Sequence, residues 1–191
     1  MPGVRLASLC CAIGGRDEQV DFLVLVLFSG NVLAVDGMSV EAGNGDATDT
    51  ARVGAIWNFD RQWFTEGNWQ VAGFWEAMVG TWRGHSSFGN NQTVTDLGMT
   101  PVFRLEQKNP TSFAPYLEGA IGFHLVSPTF INAQRRFGSS FQFGDHVGAG
   151  VRLGEHQQFD LGYRFQHLSN GGIKKPNQGI NLNEVHFIYH F

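Results

Sequence analysis

Beyond about residue 34 the chain reads with a period of two. Strand-length stretches alternate apolar and polar residues, and clusters of Gly, Asn, Asp and Pro break them at intervals. The last stretch is the clearest: Val185, Phe187, Tyr189 and Phe191 fall on one face, and Glu184, His186, Ile188 and His190 on the other. Leu161, Tyr163 and Phe165 likewise oppose Gly162, Arg164 and Gln166. Leu117, Ile121, Phe123 and Leu125 oppose Glu118 and His124, and Val147, Ala149, Val151 and Leu153 oppose His146 and Arg152. The pattern predicts eight strands, at about 36–44, 49–59, 68–82, 93–106, 112–126, 140–153, 157–169 and 182–191, and no amphipathic helix. Short turns at Asp60–Trp63, Lys108–Pro110 and Gly154-Glu155 alternate with longer connections at Arg83–Gln92, Ser127–Ser139 and Asn170–Asn181. A transmembrane barrel with short periplasmic turns and long outer loops has this rhythm.

Alternation alone does not say which face is inside. A soluble barrel buries the apolar face, whereas a membrane barrel turns it to lipid and keeps the polar face in the lumen. Here the polar faces set Gly beside charge: Gly162 with Arg164, Gly98 with Asp96, Gly148 and Gly150 with His146 and Arg152. Small residues next to paired charges suit the narrow lumen of an eight-stranded barrel, which is also too narrow for a porin-like channel. The N-terminal region points to export. Phe22–Phe28 is an apolar core of signal-peptide length, and Val32 and Ala34 occupy the −3 and −1 positions that a signal peptidase requires small. Removal of residues 1–34 is expected, leaving residues 35–191 as one barrel domain. Asp17, Glu18 and Asp21 are unusual so close to such a core, and a buried strand at 22–28 is the alternative. With the terminal Phe191, which resembles the C-terminal signal of bacterial outer-membrane proteins, the expectation is an all-β, eight-stranded, antiparallel up-and-down transmembrane β-barrel in the outer membrane. The alternative is a secreted lipocalin-like barrel with an apolar ligand inside.

Composition narrows the chemistry. Charged residues are only 16% of 191 and aromatics 13%, too apolar a mixture for a disordered chain. No apolar stretch reaches the ~18–20 residues a spanning helix needs, so a helical membrane protein is excluded. A net charge of −4 gives no basis for a nucleic-acid partner. Cys10 and Cys11 are the only cysteines, and both precede the expected cleavage. The mature chain is therefore expected to lack a disulfide, a thiol nucleophile and a cysteine metal site. Loss of Arg5, Arg16, Asp17, Glu18 and Asp21 moves the net charge to −3. The histidines have no spacing that makes a zinc site, and the Gly-rich stretches are strand and turn glycines rather than a phosphate-binding loop. No cofactor and no metal are expected.

One segment carries nucleophile chemistry. His167 and Ser169, two apart on a strand, project from the same face and set an imidazole near a hydroxyl. They continue the outward phase of Leu161, Tyr163 and Phe165, near the outer-leaflet end of the strand if both termini are periplasmic. On spacing alone they are either rim residues where the strand leaves the membrane or a base–nucleophile pair.

The longer string His167–Ile180, HLSNGGIKKPNQGI, resembles the signature of the lipid A 3-O-deacylases, the PagL family. A weaker likeness covers Phe141–Gly150, and the resemblance extends from about Val35 to Phe191. It implies an eight-stranded outer-membrane barrel whose active site opens on the lipid face and which hydrolyses an ester-linked acyl chain of lipid A. Ser169 would be the nucleophile and His167 the proton carrier. Asn177, with the backbone N–H groups of Gly171 and Gly172, would hold the oxyanion, and Lys174 and Lys175 are candidates for lipid A phosphates or sugars, with plain solvated loop lysines as the other reading. The family places a Glu shortly after the Pro-Asn-x-Gly-Ile turn; the ungapped match here is Asn181, and Glu184 follows three residues later. Phase puts Asn181 outward with His167 and Glu184 inward, unless a bulge near Leu182 reverses it. The implied partners are lipopolysaccharide and the outer membrane; a homodimer is compatible with this reading. A non-catalytic structural or adhesive barrel is the competing class.

Overall fold

The structure, a computed structural model, describes residues 34–191. The expected signal segment and its alternative strand at 22–28 lie outside the described residues. Ten strands follow in order: β1 (Gly37–Gly45), β2 (Thr48–Asn58), β3 (Trp69–Gly84), β4 (Thr93–Gln107), β5 (Phe113–Ser127), β6 (Phe130–Asn132), β7 (Arg135–Arg136), β8 (Phe141–Leu153), β9 (Phe159–Ser169) and β10 (Ile180–His190). Eight of them close into an antiparallel barrel in the order β1-β10-β9-β8-β5-β4-β3-β2, while β6 and β7 form a separate hairpin within the connection between β5 and β8. Every strand pair of the barrel is antiparallel, and β10 closes the ring by pairing Tyr189 with Met38 and Asn183 with Asn44.

The barrel is apolar outside and charged inside. Outward residues include Val40, Val53, Leu97, Leu117, Ile121, Val147, Phe165 and Val185, all exposed. The middle of the lumen holds three buried arginines (Arg52, Arg104, Arg164) and six buried carboxylates (Glu41, Glu76, Asp96, Glu118, Asp160, Glu184). A barrel in water would have this inside out, so the lipocalin-like alternative fails and the lipid-facing reading stands. Arg164 reaches Glu118 at 2.6 Å and both Glu41 and Glu76 at 2.9 Å. Arg52 joins Glu41 at 2.5 Å, Glu184 at 2.8 Å and Asp96 at 2.9 Å. Arg104 bonds Glu118 and Asp160 and stacks on the Tyr116 ring, 3.9 Å from its centroid. Glycines make room for this layer. A side chain at Gly162 would strike the His186 ring, and one at Gly144 the His124 ring.

Apolar layers lie above and below the charges. At the end that carries the 170–179 loop, Trp82, Val94, Val126, Ile131, Phe137, Leu168, Ile180 and Leu182 form one buried cluster. Two of these, Ile131 and Phe137, come from the β6–β7 hairpin segment, which folds into the mouth of the barrel. Ile56, Phe74, Val102, Ala120 and Ile188 form the other cluster.

The connections depart from the expected rhythm at two places. The β1–β2 link, on the side of the long loops, is the two-residue turn Asp46-Ala47, with φ of 48° and 55°. Both central residues are left-handed, as a tight hairpin demands. The β2–β3 link, expected to be short, runs through 59–68. Its length is used to lay aromatic rings back on the outer wall: Phe59 packs on Phe103 (5.5 Å between centroids) and Trp75 (6.0 Å), and Trp63 packs on Phe103 (6.0 Å). Such a girdle of rings marks the membrane–water boundary of outer-membrane barrels.

Candidate active site

Leu168, Ile180 and Leu182 are fully buried in the apolar cluster of the lumen. Because strand neighbours alternate sides, anchoring these three inward forces His167, Ser169 and Asn181 outward. The β9–β10 register sets Asn181 directly opposite His167, and the β8–β9 register sets Phe143 opposite Ser169. The site thus sits on the lipid-facing wall, at the end of the barrel where β9 runs into the 170–179 loop.

His167 Nδ1 lies 2.7 Å from Asn181 Oδ1. An amide oxygen only accepts, so Nδ1–H donates, and in the neutral ring Nε2 keeps its lone pair. Gly179 presses against the other edge of the ring: a Cβ there would lie 3.0 Å from His167 Cε1, and its φ of +65° is one that only Gly adopts freely. The loop carrying Gly179 is held from outside. Arg135 Nη1 donates to the Gly179 carbonyl (2.8 Å), its Nη2 pairs with Asp46 (2.6 Å), and the Asn181 N–H donates to Asp46 (2.8 Å).

Ser169 Oγ accepts a hydrogen bond from the Gly171 N–H at 3.4 Å. Gly171 stands in the left-handed region, φ +63°, against the Phe143 ring. Of the two backbone donors expected near the nucleophile, Gly172 N–H is engaged by Asn170 Oδ1 (3.0 Å), which leaves Gly171 N–H as the one directed at Ser169. Asn177 Oδ1 accepts from the Asn170 N–H (3.0 Å) and so ties the two ends of the loop together. Lys174 and Lys175 are exposed at the loop tip, and the Lys174 carbonyl takes a 2.6 Å bond from Asn170 Nδ2.

Glu184 is on the opposite side of the wall. It is buried in the lumen with Oε1 on Arg52 at 2.8 Å, and β10 continues through Leu182 without a bulge. The structure brings Asn181 to His167 and leaves Glu184 in the charge layer. Glu184→Gln is expected to keep at least half of wild-type catalytic activity. Arg52 retains Glu41 and Asp96, and the lumen already holds more carboxylates than guanidinium groups. Turnover measured on purified, detergent-folded protein checks this; a loss of more than tenfold would place Glu184 in the machinery.

Two features of the site region were not anticipated. Arg135 is remote in sequence, and its grip on Gly179 needs the β6–β7 hairpin that no alternation signals. Asp145 lies on the outward face directly opposite His167 in the β8–β9 register; it belongs to the Phe141–Gly150 segment, but only strand register brings it to His167.

Residues 49–190 match the family model described as lipid A 3-O-deacylase (PagL). The chain is 32% identical over 147 residues to the lipid A deacylase PagL of Pseudomonas aeruginosa, covering 77% of this chain and 81% of that protein. Over a shorter stretch of 76 residues it is 42% identical to the lipid A deacylase PagL of Bordetella bronchiseptica, 40% of this chain and 41% of that one. A crystal structure of the outer-membrane enzyme PagL superposes with a TM-score of 0.71 at 28% identity, covering 81% of this chain and 99% of the other.

Proposed function

The chain belongs to the lipid A 3-O-deacylase (PagL) family of outer-membrane enzymes, and from that premise we propose that it removes the ester-linked 3-hydroxyacyl chain at position 3 of lipid A through Ser169 and His167. The observation that carries the mechanism is the outward-facing His167, its Nδ1–H fixed on Asn181, on the same strand face as Ser169. The ester of lipid A lies near the boundary between sugar and acyl chains, which is where a site at the loop end of a lipid-facing wall meets it.

His167 Nε2 takes the Ser169 Oγ proton as Oγ attacks the ester carbonyl. The negative charge on the tetrahedral oxygen is met by the Gly171 N–H, with Asn177 Nδ2 as the second donor. Collapse breaks the bond to the sugar 3-oxygen, which leaves with the proton from His167 and becomes a free hydroxyl. Water then attacks the acyl-Ser169 ester, gives its proton to His167, and releases the 3-hydroxy fatty acid as Ser169 regains its proton. Phe143 and the neighbouring apolar wall receive the acyl chain in place of membrane lipid. Lys174 and Lys175 meet the phosphates or sugars at the rim.

Mass spectrometry of lipid A from cells expressing the protein tests the reading. Wild type should convert lipid A to a species lacking one 3-hydroxyacyl chain, and His167→Ala should leave lipid A intact although it reaches the outer membrane. Unchanged lipid A with folded wild-type protein, or full conversion by His167→Ala, would sink it.

A further inference from the structure

Across β5, β8, β9 and β10 the outward residues of one register row are Ile121, Asp145, His167 and Asn181. Asn181 flanks the imidazole on one side and is neutral. Asp145 flanks it on the other side and carries a charge. Residues directly opposed on adjacent strands hold their Cβ atoms about 4.5–5.5 Å apart, so the carboxylate is the nearest anion that strand pairing supplies to His167. Its surroundings are otherwise lipid-facing: Phe143 and Val147 precede and follow it on the same face of β8, and Ile121 is its β5 partner. Asp145 is exposed on that face and forms no hydrogen bond or ion pair among the described residues. A carboxylate on the lipid wall disfavours the fold, so its presence in this row calls for a use. Of the other carboxylates, Asp46 is taken up by Arg135 and the Asn181 N–H, and Glu118 and Glu184 point into the lumen and are bonded to Arg164, Arg104 and Arg52.

We infer that Asp145 is a positioning residue that stabilises the His167 imidazolium formed during ester cleavage, supplying from β8 the negative charge that Asn181 on β10 does not. The inference rests on the Ser169–His167 reading. Asn181 fixes which ring nitrogen carries hydrogen and how the ring is turned; Asp145 lowers the energy of the charged ring when it holds the serine proton. The usual third member of such a triad does both from one atom. Here the two duties fall on two side chains from two strands.

Release of 3-hydroxy fatty acid from lipid A in detergent mixed micelles provides the test, with folding monitored by heat-modifiable migration on gels. Asp145→Asn removes the charge but keeps the shape, and it should lower kcat by on the order of tenfold while KM stays within about twofold, as expected for a charge felt chiefly in the transition state. Asp145→Glu should recover most of the rate. The decisive arm is Asn181→Glu in the Asp145→Asn background, which should restore kcat by placing the anion on the opposite flank of the ring; a merely structural role for Asp145 would not be rescued from β10. Wild-type kcat in Asp145→Asn, or failure of Asn181→Glu to restore it in a folded double variant, would overturn the inference while leaving the catalytic reading intact. A fully active Ser169→Ala in the same assay would instead remove the reading on which it rests. Loss of a lipid-facing charge does not threaten folding, so the variants are expected in the membrane at wild-type levels.

Discussion

Ser169→Ala is expected to lower the rate of 3-O-deacylation by about 10⁴-fold or more, to the level of the uncatalysed background in a cell-based assay. In the proposed mechanism the acyl chain passes through an ester on Ser169, so removal of its Oγ leaves no route other than direct attack by water. The barrel should be unaffected. Ser169 sits at the end of β9, its Oγ receives only a 3.4 Å bond from Gly171, and the buried neighbours that fix the strand are Leu168 and Asn170. Purified Ser169→Ala should therefore migrate as a folded barrel, bind lipid A and release no fatty acid. Release within tenfold of wild type would exclude Ser169 as nucleophile, and a structural or adhesive role for the barrel would then gain ground.

The second large effect concerns stability. Arg164→Met should destabilise the barrel by at least 3–5 kcal/mol, the usual penalty for stranding one side of a buried ion pair. Arg164 is fully buried and is shared by Glu41, Glu76 and Glu118 from three other strands. Met fills much of the same volume but leaves three carboxylates facing one another with less positive charge between them. Glu118 then keeps only Arg104 and Glu41 only Arg52, while Glu76 is left without a cation among the described residues. The expected result is a lower midpoint for urea unfolding in detergent and poor recovery from the membrane. Replacing Arg164 together with Glu76 by a Met and a Gln should restore part of the loss. An unchanged midpoint in the single variant would show that the lumen charges are not coupled as their spacing indicates.

Much of this architecture is legible in the sequence because one face of each strand meets lipid. That requirement keeps the period of two clean, so Val185, Phe187 and Tyr189 declare their side as plainly as Glu184 and His186 declare theirs. The same phase places His167, Ser169 and Asn181 on one wall and Glu184 behind it, before any coordinates are known. What phase cannot carry is register between strands and the path of loops. The pairing of Asp145 with His167 depends on the length of the 154–158 turn, and a shift by two residues would preserve every inside–outside assignment while setting Phe143 or Val147 there instead. The loop-end apolar cluster was hidden for a similar reason. Ile131 and Phe137 lie in a connection without alternation, and their burial comes from a hairpin that turns back into the lumen. The lengths of the β1–β2 and β2–β3 connections do not show in the alternation: Asp46-Ala47 suffices for a tight hairpin, and Phe59 and Trp63 prolong the other link to cover the wall.

The sideways opening of the site has a kinetic consequence. On the proposed reading Ser169 and His167 open away from the lumen onto the lipid-facing wall, so substrate would arrive by lateral diffusion within one leaflet. The rate of encounter depends on the number of lipid A molecules per unit area and on how fast they exchange places with their neighbours. Stiffening the leaflet, as divalent cations do by bridging phosphates, slows supply without touching the protein. In mixed micelles the half-saturation point is accordingly a mole fraction, and diluting the surface with inert detergent will lower the rate even while the amount of lipid A in the tube is held constant.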